Sequence, residues 1–396
     1  MDRETSPVMR SQPEMRTEAR FYRAELDVLR FFAFFSVFLA HILQPSNPRD
    51  FTGIKSALIS FEWDFRNAGG FGLCLFFLLS AYLITELLLR ELSRTGAIHF
   101  RAFYLRRMLR IWPLYFLMVI FGYFFGLIRP RSVWGFDRLV AYVFMFGNYY
   151  TARHGQAQNP AGPLWSISIE EQFYSLWPSI AKYGVRCLVI MSSLLIPFSY
   201  FWLYVLFRAG TSLEQGIWTN SIVQFQFFGI GALLALWLQG NTPNLGHFVR
   251  IAMLFAGVAL WLFASGFFRI LGWGGFVPVS QIMMGYGCVA LGCVLLLVGI
   301  LGCPKQWCPG RLVYLGKISY GLYVFHQLGI RIGIRSSNAL AAHFQGGSSI
   351  SSAMLALRIP VALTSTIIFA YVSYKFIETP FLRIKERFAF IKSRDI

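Results

Sequence analysis

Residues 26–44 of this chain read LDVLRFFAFFSVFLAHILQ, an apolar run long enough to cross a lipid bilayer as one helix. A hydrocarbon core of about 30 Å requires about 20 helical residues. Comparable runs recur near 70–90, 110–128, 165–183, 187–207, 222–239, 250–268, 281–302, 316–333 and 357–376. The pattern predicts an all-α, polytopic membrane helix bundle with about ten transmembrane helices. The shorter apolar segment 139–147 is interpreted as a re-entrant or interfacial piece, although as a full crossing it would make eleven.

The composition supports a membrane protein. Of the 396 residues, 56% are apolar and only 14% are charged, whereas soluble chains carry about 25% charged residues. A soluble globule, a disordered chain, a collagen-like fibre and a secreted disulfide scaffold are therefore excluded. The formal net charge is +18, but Lys and Arg are spread through short loops. A nucleic-acid partner is not expected, because no basic domain is present to hold one.

The six cysteines do not suggest a metal centre. They lie mostly inside or at the ends of apolar runs, which is typical of buried structural thiols. Cys303 and Cys308 have no nearby His or second Cys pair at the spacing of zinc ligands. We therefore predict no metal site.

Charge counting predicts the topology. With the N-terminus inside, the cytosolic segments hold 23 of the 36 Lys and Arg residues and the outer segments hold 12. By the positive-inside rule, this places both termini in the cytosol, with the chain in the inner (plasma) membrane and an even number of spans. We expect a cytosolic N-terminal tail (1–25), one transmembrane domain (26–378) and a basic cytosolic C-terminal tail (379–396), with no appended soluble catalytic domain.

Ionisable side chains within the apolar runs are candidates for function, because each is costly at membrane depth. Arg30 and His41 are eleven residues apart, so they lie about 20° apart around a helix and about 16 Å apart along it. Asp27 is one turn before Arg30 and can pair with it. The shared face favours one axis for binding and catalysis, since an imidazole readily takes a proton near neutral pH. The alternative is that both side chains extend to the lipid headgroups at opposite ends of the span.

A second basic group opens the third run. Arg107 and Arg110 are three residues apart and share a helix face, while Arg106 points elsewhere. Paired guanidinium groups can bind phosphate oxygens, but anchoring to anionic lipid explains them equally well.

The fourth run carries two adjacent carboxylates, Glu170 and Glu171. Being about 100° apart, only one can face a given partner. That one could orient His41 and balance its charge, or the pair could form a polar interfacial turn. His326, near the middle of the ninth run, is open to two interpretations, a packing histidine bonded to a neighbouring helix or a catalytic one.

Five motifs occur in an order that resembles acyltransferase family 3, the bacterial integral-membrane sugar O-acyltransferases that include the O-antigen acetylases. They are Asp27-Val-Leu-Arg with His41, Phe76-Phe-Leu-Leu-Ser-Ala-Tyr-Leu-Ile-Thr85, Phe103-Tyr-Leu-Arg-Arg-x-x-Arg-Ile-Trp-Pro113, Leu164-Trp-Ser-Ile-Ser-Ile-Glu-Glu-Gln-Phe-Tyr174 and Ile318-Ser-Tyr-Gly-Leu-Tyr323. The resemblance covers about residues 24–385. Two positions depart from it: Ala81 stands where Gly is usual, and Gln327 follows His326 where Trp and Pro are common. The chain also lacks the Gly-x-Ser-x-Gly motif, and we expect it to lack the esterase-like domain that some members carry.

The resemblance implies transfer of an acyl group, usually acetyl, from cytosolic acetyl-CoA to a hydroxyl of a cell-surface or exported glycan. Matched residue by residue, it implies that Arg30, Arg107 and Arg110 bind the acyl-CoA donor. His41 would act as general base or accept the acyl group itself, and Glu170 or Glu171 would support the protonated imidazole. The competing hypothesis is a proton-coupled transporter or flippase of a glycan or lipid-linked intermediate, which would leave the thioester intact. Neither the acceptor nor the oligomeric state is predicted.

Overall fold

The computed structural model describes residues 22–129, 134–271, 277–343 and 348–388. Residues 1–21 of the predicted N-terminal tail (1–25) and 389–396 of the predicted C-terminal tail (379–396) lie outside the described residues. Within those ranges the chain is helical and no residue forms a strand. The prediction of an all-α fold is confirmed. The α-helices are α1 (Ala24–Ile42), α2 (Gly53–Gly70), α3 (Gly72–Thr95), α4 (Phe100–Ile128), α5 (Phe136–Val143), α6 (Gly147–His154), α7 (Trp165–Ala181), α8 (Val185–Arg208), α9 (Ser221–Leu238), α10 (His247–Gly266), α11 (Val279–Ile300), α12 (Gly310–Lys317), α13 (Ser319–His343), α14 (Ser348–Ser373) and α15 (Thr379–Glu386).

Seven helical stretches among the described residues are long and apolar enough to cross a membrane. They are α2 with α3, then α4, α8, α9, α10, α11 and the stretch Leu357–Glu386. Each contains or overlaps one of the ten predicted spans, which confirms a polytopic helical membrane protein. The other three predicted spans are α1, α7 and α13, which are helical but shorter or richer in polar residues. The total of ten crossings stays a prediction.

The segment 139–147 does not form a long helix. It includes most of α5 and the start of α6, which are eight residues each and separated by a turn. An eight-residue helix is about 12 Å long, well short of the hydrocarbon core. Neither helix could cross a bilayer alone.

The described chain begins and finishes at the same end of the bundle. Arg106, in the first turns of α4, donates a 2.8 Å hydrogen bond to the carbonyl oxygen of Phe388. Arg23, just before α1, donates to the carbonyl oxygen of Gly240, which lies beside Arg90 near the C-terminus of α3. Because the end of α3 leads directly into α4, these contacts share one end, called here the near end. The opposite end, where α1 finishes at Ile42, is the far end.

Helix α1 contacts α2, α3, α12 and α13, and glycines allow two of these approaches. A Cβ atom on Gly316 of α12 would overlap the backbone of Asp27, and one on Gly72 of α3 would overlap the carbonyl oxygen of Ala33. Small residues let membrane helices approach backbone to backbone. The close packing fixes α1 against the helices that supply the other polar side chains.

Candidate active site

A cavity of about 100 Å³ opens where α1, α3, α4, α7 and α13 converge. Its charged lining residues are Arg30, Arg107, Arg110 and Glu170. Its hydroxyl groups come from Ser80, Ser166, Tyr174, Ser319, Tyr320 and Tyr323. The bundle therefore brings together the arginines of two separate helices that the sequence singled out. With three guanidinium groups and one carboxylate, the cavity is suited to an anion.

Arg30 is held in place within α1. Its Nη1 donates a 3.1 Å hydrogen bond to Oδ1 of Asp27, and the Asp27 side chain is almost fully buried. The pairing predicted from the one-turn spacing is therefore present. A buried carboxylate one turn away limits the rotamers of Arg30 and directs its guanidinium toward the cavity.

The two arginines of α4 also behave as their spacing predicts. Arg107 and Arg110 both line the cavity, and the Arg107 guanidinium lies over the rings of Phe103 and Tyr174, at 5.8 and 5.6 Å from the ring centroids. Arg106 points away and pairs with Glu91 at 2.8 Å. Adjacent arginines on one helix thus have separate partners, one set at the cavity and the other at the near end.

The two carboxylates of α7 face different neighbours. Glu170 accepts hydrogen bonds from the hydroxyl groups of Ser80 (3.2 Å) and Tyr174 (2.9 Å), and it interacts electrostatically with Arg110 and Arg30. Glu171 accepts a 3.1 Å hydrogen bond from Trp112 Nε1. Among the described residues, neither carboxyl group bonds to His41. Support of His41 by one of them stays a prediction.

His41 lies at the far end of α1, one residue before the helix finishes. Its Nδ1 is 2.8 Å from the carbonyl oxygen of Val37. A carbonyl oxygen can only accept, so Nδ1 carries the hydrogen and Nε2 keeps a lone pair. The His41 ring is only partly buried. Its Nε2 is therefore a base placed toward the far end of the bundle.

The residue beside His41 is His326 of α13. The two ring centroids are 5.0 Å apart, and the ring planes are inclined by 67°. His326 is fully buried, and its Nδ1 lies 2.5 Å from the carbonyl oxygen of Tyr323. The same reasoning assigns the hydrogen to Nδ1 and a lone pair to Nε2. The sequence left His326 open between a packing and a catalytic role, and the structure brings it next to His41.

Tyr323 connects the histidine pair with the cavity. It lines the cavity, and its ring centroid is 5.4 Å from that of His326. Its hydroxyl group is 2.6 Å from Ser166 Oγ and donates to the carbonyl oxygen of Pro163. The lining of this cavity includes Arg30 and Tyr323 but neither imidazole. Tyr323 thus contacts His326 while it also lines the arginine cavity.

Sequence reasoning missed several residues of the site. Tyr320 and Tyr323 are three apart on α13, so they share a helix face with each other, and this spacing within the Ile318–Tyr323 motif was the available signal. Arg66 of α2 was also missed, and it interacts electrostatically with His41. It lies between two of the predicted runs, where the apolar pattern gave no guide. The described residues contain no group of three His, Cys, Asp or Glu side chains that could hold a metal ion.

A cavity lined by three arginines, with paired imidazoles beside one of its lining residues, suits an enzyme that transfers a group from a charged donor. Residues 23–375 match the family model Acyl_transf_3, described as an acyltransferase domain. Because this match covers most of the chain, the protein belongs to that family.

Several curated proteins are similar to this chain. One is the "Putative peptidoglycan O-acetyltransferase YrhL" of Bacillus subtilis (strain 168), 28% identical over 336 residues, which are 78% of this chain and 49% of the relative. The "Peptidoglycan O-acetyltransferase OatA" of Listeria monocytogenes is 26% identical over 357 residues, 82% of this chain and 53% of the relative. The "Putative O-acetyltransferase SACOL0978" of Staphylococcus aureus (strain COL) is 29% identical over 358 residues, with 79% and 53% covered. The chain spans about half the length of these relatives. No solved structure matches it.

Proposed function

We propose that this protein moves an acetyl group from cytosolic acetyl-CoA to a hydroxyl group of a cell-surface or exported glycan. The observation that carries the proposal is the arginine-lined cavity, one of whose lining residues, Tyr323, packs beside the histidine pair. The names of the relatives make peptidoglycan the first acceptor to test. The proposal also requires that the near end face the cytosol, where the donor is made.

The donor binds on the arginine side. Coenzyme A carries several phosphate groups, and Arg107, Arg110 and Arg30 supply planar donors that suit phosphate oxygens. A cavity of about 100 Å³ is too small for a whole coenzyme. It accommodates a phosphate group or the thin pantetheine arm, so the nucleotide part remains at the near end. The distance of about 16 Å along α1 from Arg30 to His41, set by helix rise, suits the arm's reach.

The acceptor enters from the far end and meets His41. Its hydroxyl oxygen attacks the thioester carbonyl carbon while Nε2 of His41 takes the hydroxyl proton. The bond between carbon and sulfur breaks, and sulfur leaves with the electron pair as the coenzyme A thiolate, which is then protonated. A two-step route, in which His41 first accepts the acetyl group, uses the same atoms. In both routes the thioester passes Tyr323, which lines the cavity, to reach His41.

Glu170 has a role in this scheme besides the support of His41, which stays a prediction. Its hydrogen bonds to Ser80 and Tyr174 hold it among the arginines, where it offsets part of their mutual repulsion. A cavity that keeps three cations together without a bound anion needs such a counter-charge. Glu171, bonded to Trp112, keeps its assignment as a supporting residue only as a prediction.

The test uses the full chain in lipid nanodiscs with acetyl-CoA labelled in the acetyl group. Soluble peptidoglycan fragments serve as the acceptor, free coenzyme A thiol is measured with a thiol-reactive dye, and the acetylated fragment is measured by mass spectrometry. We expect thiol release and product to appear together with the unchanged chain and to vanish with His41→Ala. Wild-type turnover by His41→Ala would refute the role of His41. Movement of glycan across the membrane with the thioester left intact would favour a transporter.

A further inference from the structure

When His41 takes the acceptor proton, it becomes an imidazolium that needs a partner. A buried charge is costly unless it is paired or hydrogen-bonded. The carboxyl groups of Glu170 and Glu171 have their described hydrogen bonds elsewhere. The nearby charge that interacts with His41 is the cation Arg66, which makes an isolated imidazolium still less favourable. The one described ring in contact with His41 that can accept a hydrogen bond is His326.

In the neutral histidine pair, no hydrogen is available for a bond between the two rings. Both Nδ1 atoms are committed to backbone carbonyl oxygens, at Val37 for His41 and at Tyr323 for His326. Both Nε2 atoms are therefore acceptors, and two acceptors cannot bond to each other. A single added proton would allow a charge-assisted hydrogen bond between the two rings.

The spacing of the rings fits such a shared proton. Two imidazoles joined by a hydrogen bond of ordinary length between their nitrogens have centroids roughly 5 Å apart, and the observed separation is 5.0 Å. His326 is also completely buried, and the described group near its Nε2 is the side-chain amide nitrogen of Gln327, at 3.5 Å. The Tyr323 carbonyl holds its ring, and the side chain of the same Tyr323 lines the donor cavity.

We propose that His326 is the acid–base partner of His41, sharing the acceptor proton and delivering it to the sulfur of the departing coenzyme A. The inference rests on the proposed function. The hydroxyl oxygen bonds to the acetyl carbon, and its proton passes to Nε2 of His41 and then to Nε2 of His326. The carbon–sulfur bond breaks, sulfur keeps the electron pair, and the proton from His326 completes the thiol. Each imidazole is neutral again at the close of the cycle.

The positions of His41 and His326 suit these two separate roles. His41 is partly exposed at the far end, where the acceptor enters, whereas His326 is buried one helical turn from the cavity, where the thioester arrives. A purely packing histidine would instead contribute shape and one backbone hydrogen bond. Both roles predict some loss on substitution, so the test must separate chemistry from folding.

The experiment compares His326→Gln, His326→Ala and the control His154→Gln in the nanodisc assay with acetyl-CoA and soluble peptidoglycan fragments. His154 is an exposed histidine of α6 that stacks on Tyr150. We expect His326→Gln to lower kcat by about 100-fold to 10,000-fold with KM for acetyl-CoA changed by less than about threefold. His154→Gln should match the unchanged chain. Added imidazole should restore part of the activity of His326→Ala and none of that of His41→Ala.

The outcomes separate this inference from the proposed function. If His41→Ala is inactive while His326→Gln keeps kcat within about threefold, the acid–base partner is overturned and the proposed function stands. If His41→Ala retains full activity, the proposed function itself fails. If His326→Gln does not fold, the rescue of His326→Ala decides, and a folded His326→Ala that is inactive and unresponsive to imidazole also overturns the inference. The double variant His41→Ala/His326→Gln should have nearly the same activity as His41→Ala alone.

Discussion

Replacing Arg107 by Met should weaken binding of the acyl-CoA donor far more than replacing its neighbour Arg106. Among the described residues Arg107 makes ring contacts and no ion pair, so its guanidinium is available to an anion in the cavity. One hydrogen bond to a charged group contributes about 1.5–3 kcal/mol. At about 1.4 kcal/mol per factor of ten, KM for acetyl-CoA should rise about 10-fold to 150-fold. Met keeps most of the side-chain volume, so packing changes little.

Arg106→Met is the matched control, because it removes the same charge one residue away. Arg106 bonds to Glu91 and to the carbonyl oxygen of Phe388, away from the cavity. We expect it to lower the melting temperature, since Glu91 loses a partner and the C-terminal segment loses a contact. KM for acetyl-CoA should stay within about twofold, as expected for a charge outside the cavity.

The assay is initial-rate thiol release at a series of acetyl-CoA concentrations, with thermal unfolding followed on the same nanodisc samples. The expected result is a crossed pattern: Arg107→Met changes KM and Arg106→Met changes melting temperature. Equal effects of both variants on KM would show that total positive charge near the membrane matters, rather than the cavity. An unchanged KM in Arg107→Met would refute donor binding by this residue.

Two further substitutions test the cavity and the helix packing. Glu170→Gln can keep its hydrogen bonds but removes the carboxylate that lines the cavity. KM for acetyl-CoA should therefore fall about fivefold, equivalent to ~1 kcal/mol. If turnover instead drops by about two orders of magnitude, support of His41 by Glu170 is favoured. Gly316→Ala should force α12 away from α1 and destabilise the protein by about 1–3 kcal/mol, measured by thermal unfolding. Gly310→Ala, in the same helix with open space around it, should leave the melting temperature unchanged.

Periodicity and charge spacing predicted the helical fold and the faces of several side chains. The i,i+3 spacing correctly placed Arg107 and Arg110 together and Arg106 apart, because helix geometry alone fixes that relation. The pairing of Asp27 with Arg30 follows from the same local geometry. Relations within one helix are therefore readable from the sequence.

Relations between helices were not readable in the same way. The contact between His41 and His326 joins positions far apart in sequence, and no local rule specifies it. The position of Tyr323, which lines the cavity and contacts His326, depends on the packing of α13 against α7, where its hydroxyl group contacts Ser166. The support of His41 by Glu170 or Glu171 stays a prediction, and the described hydrogen bonds of the two carboxylates go to other partners. The packing of the helices decides which partners each carboxylate binds, and a single sequence does not show that packing.

Three of the predicted spans, α1, α7 and α13, are shorter or richer in polar residues than the others. These helices carry His41, Glu170 and His326. During synthesis, α1 is made before the other helices, and its ionisable side chains are costly to place in lipid without partners. Its neighbour α13 is made only after most of the chain has been synthesised. The arginine-lined cavity can begin to form once α7 has joined α1, α3 and α4, but the imidazole pair forms only after α13 has been made. The histidine pair is therefore completed late in synthesis. A chain that stopped before Ser319 would contain the arginines of the cavity but not His326.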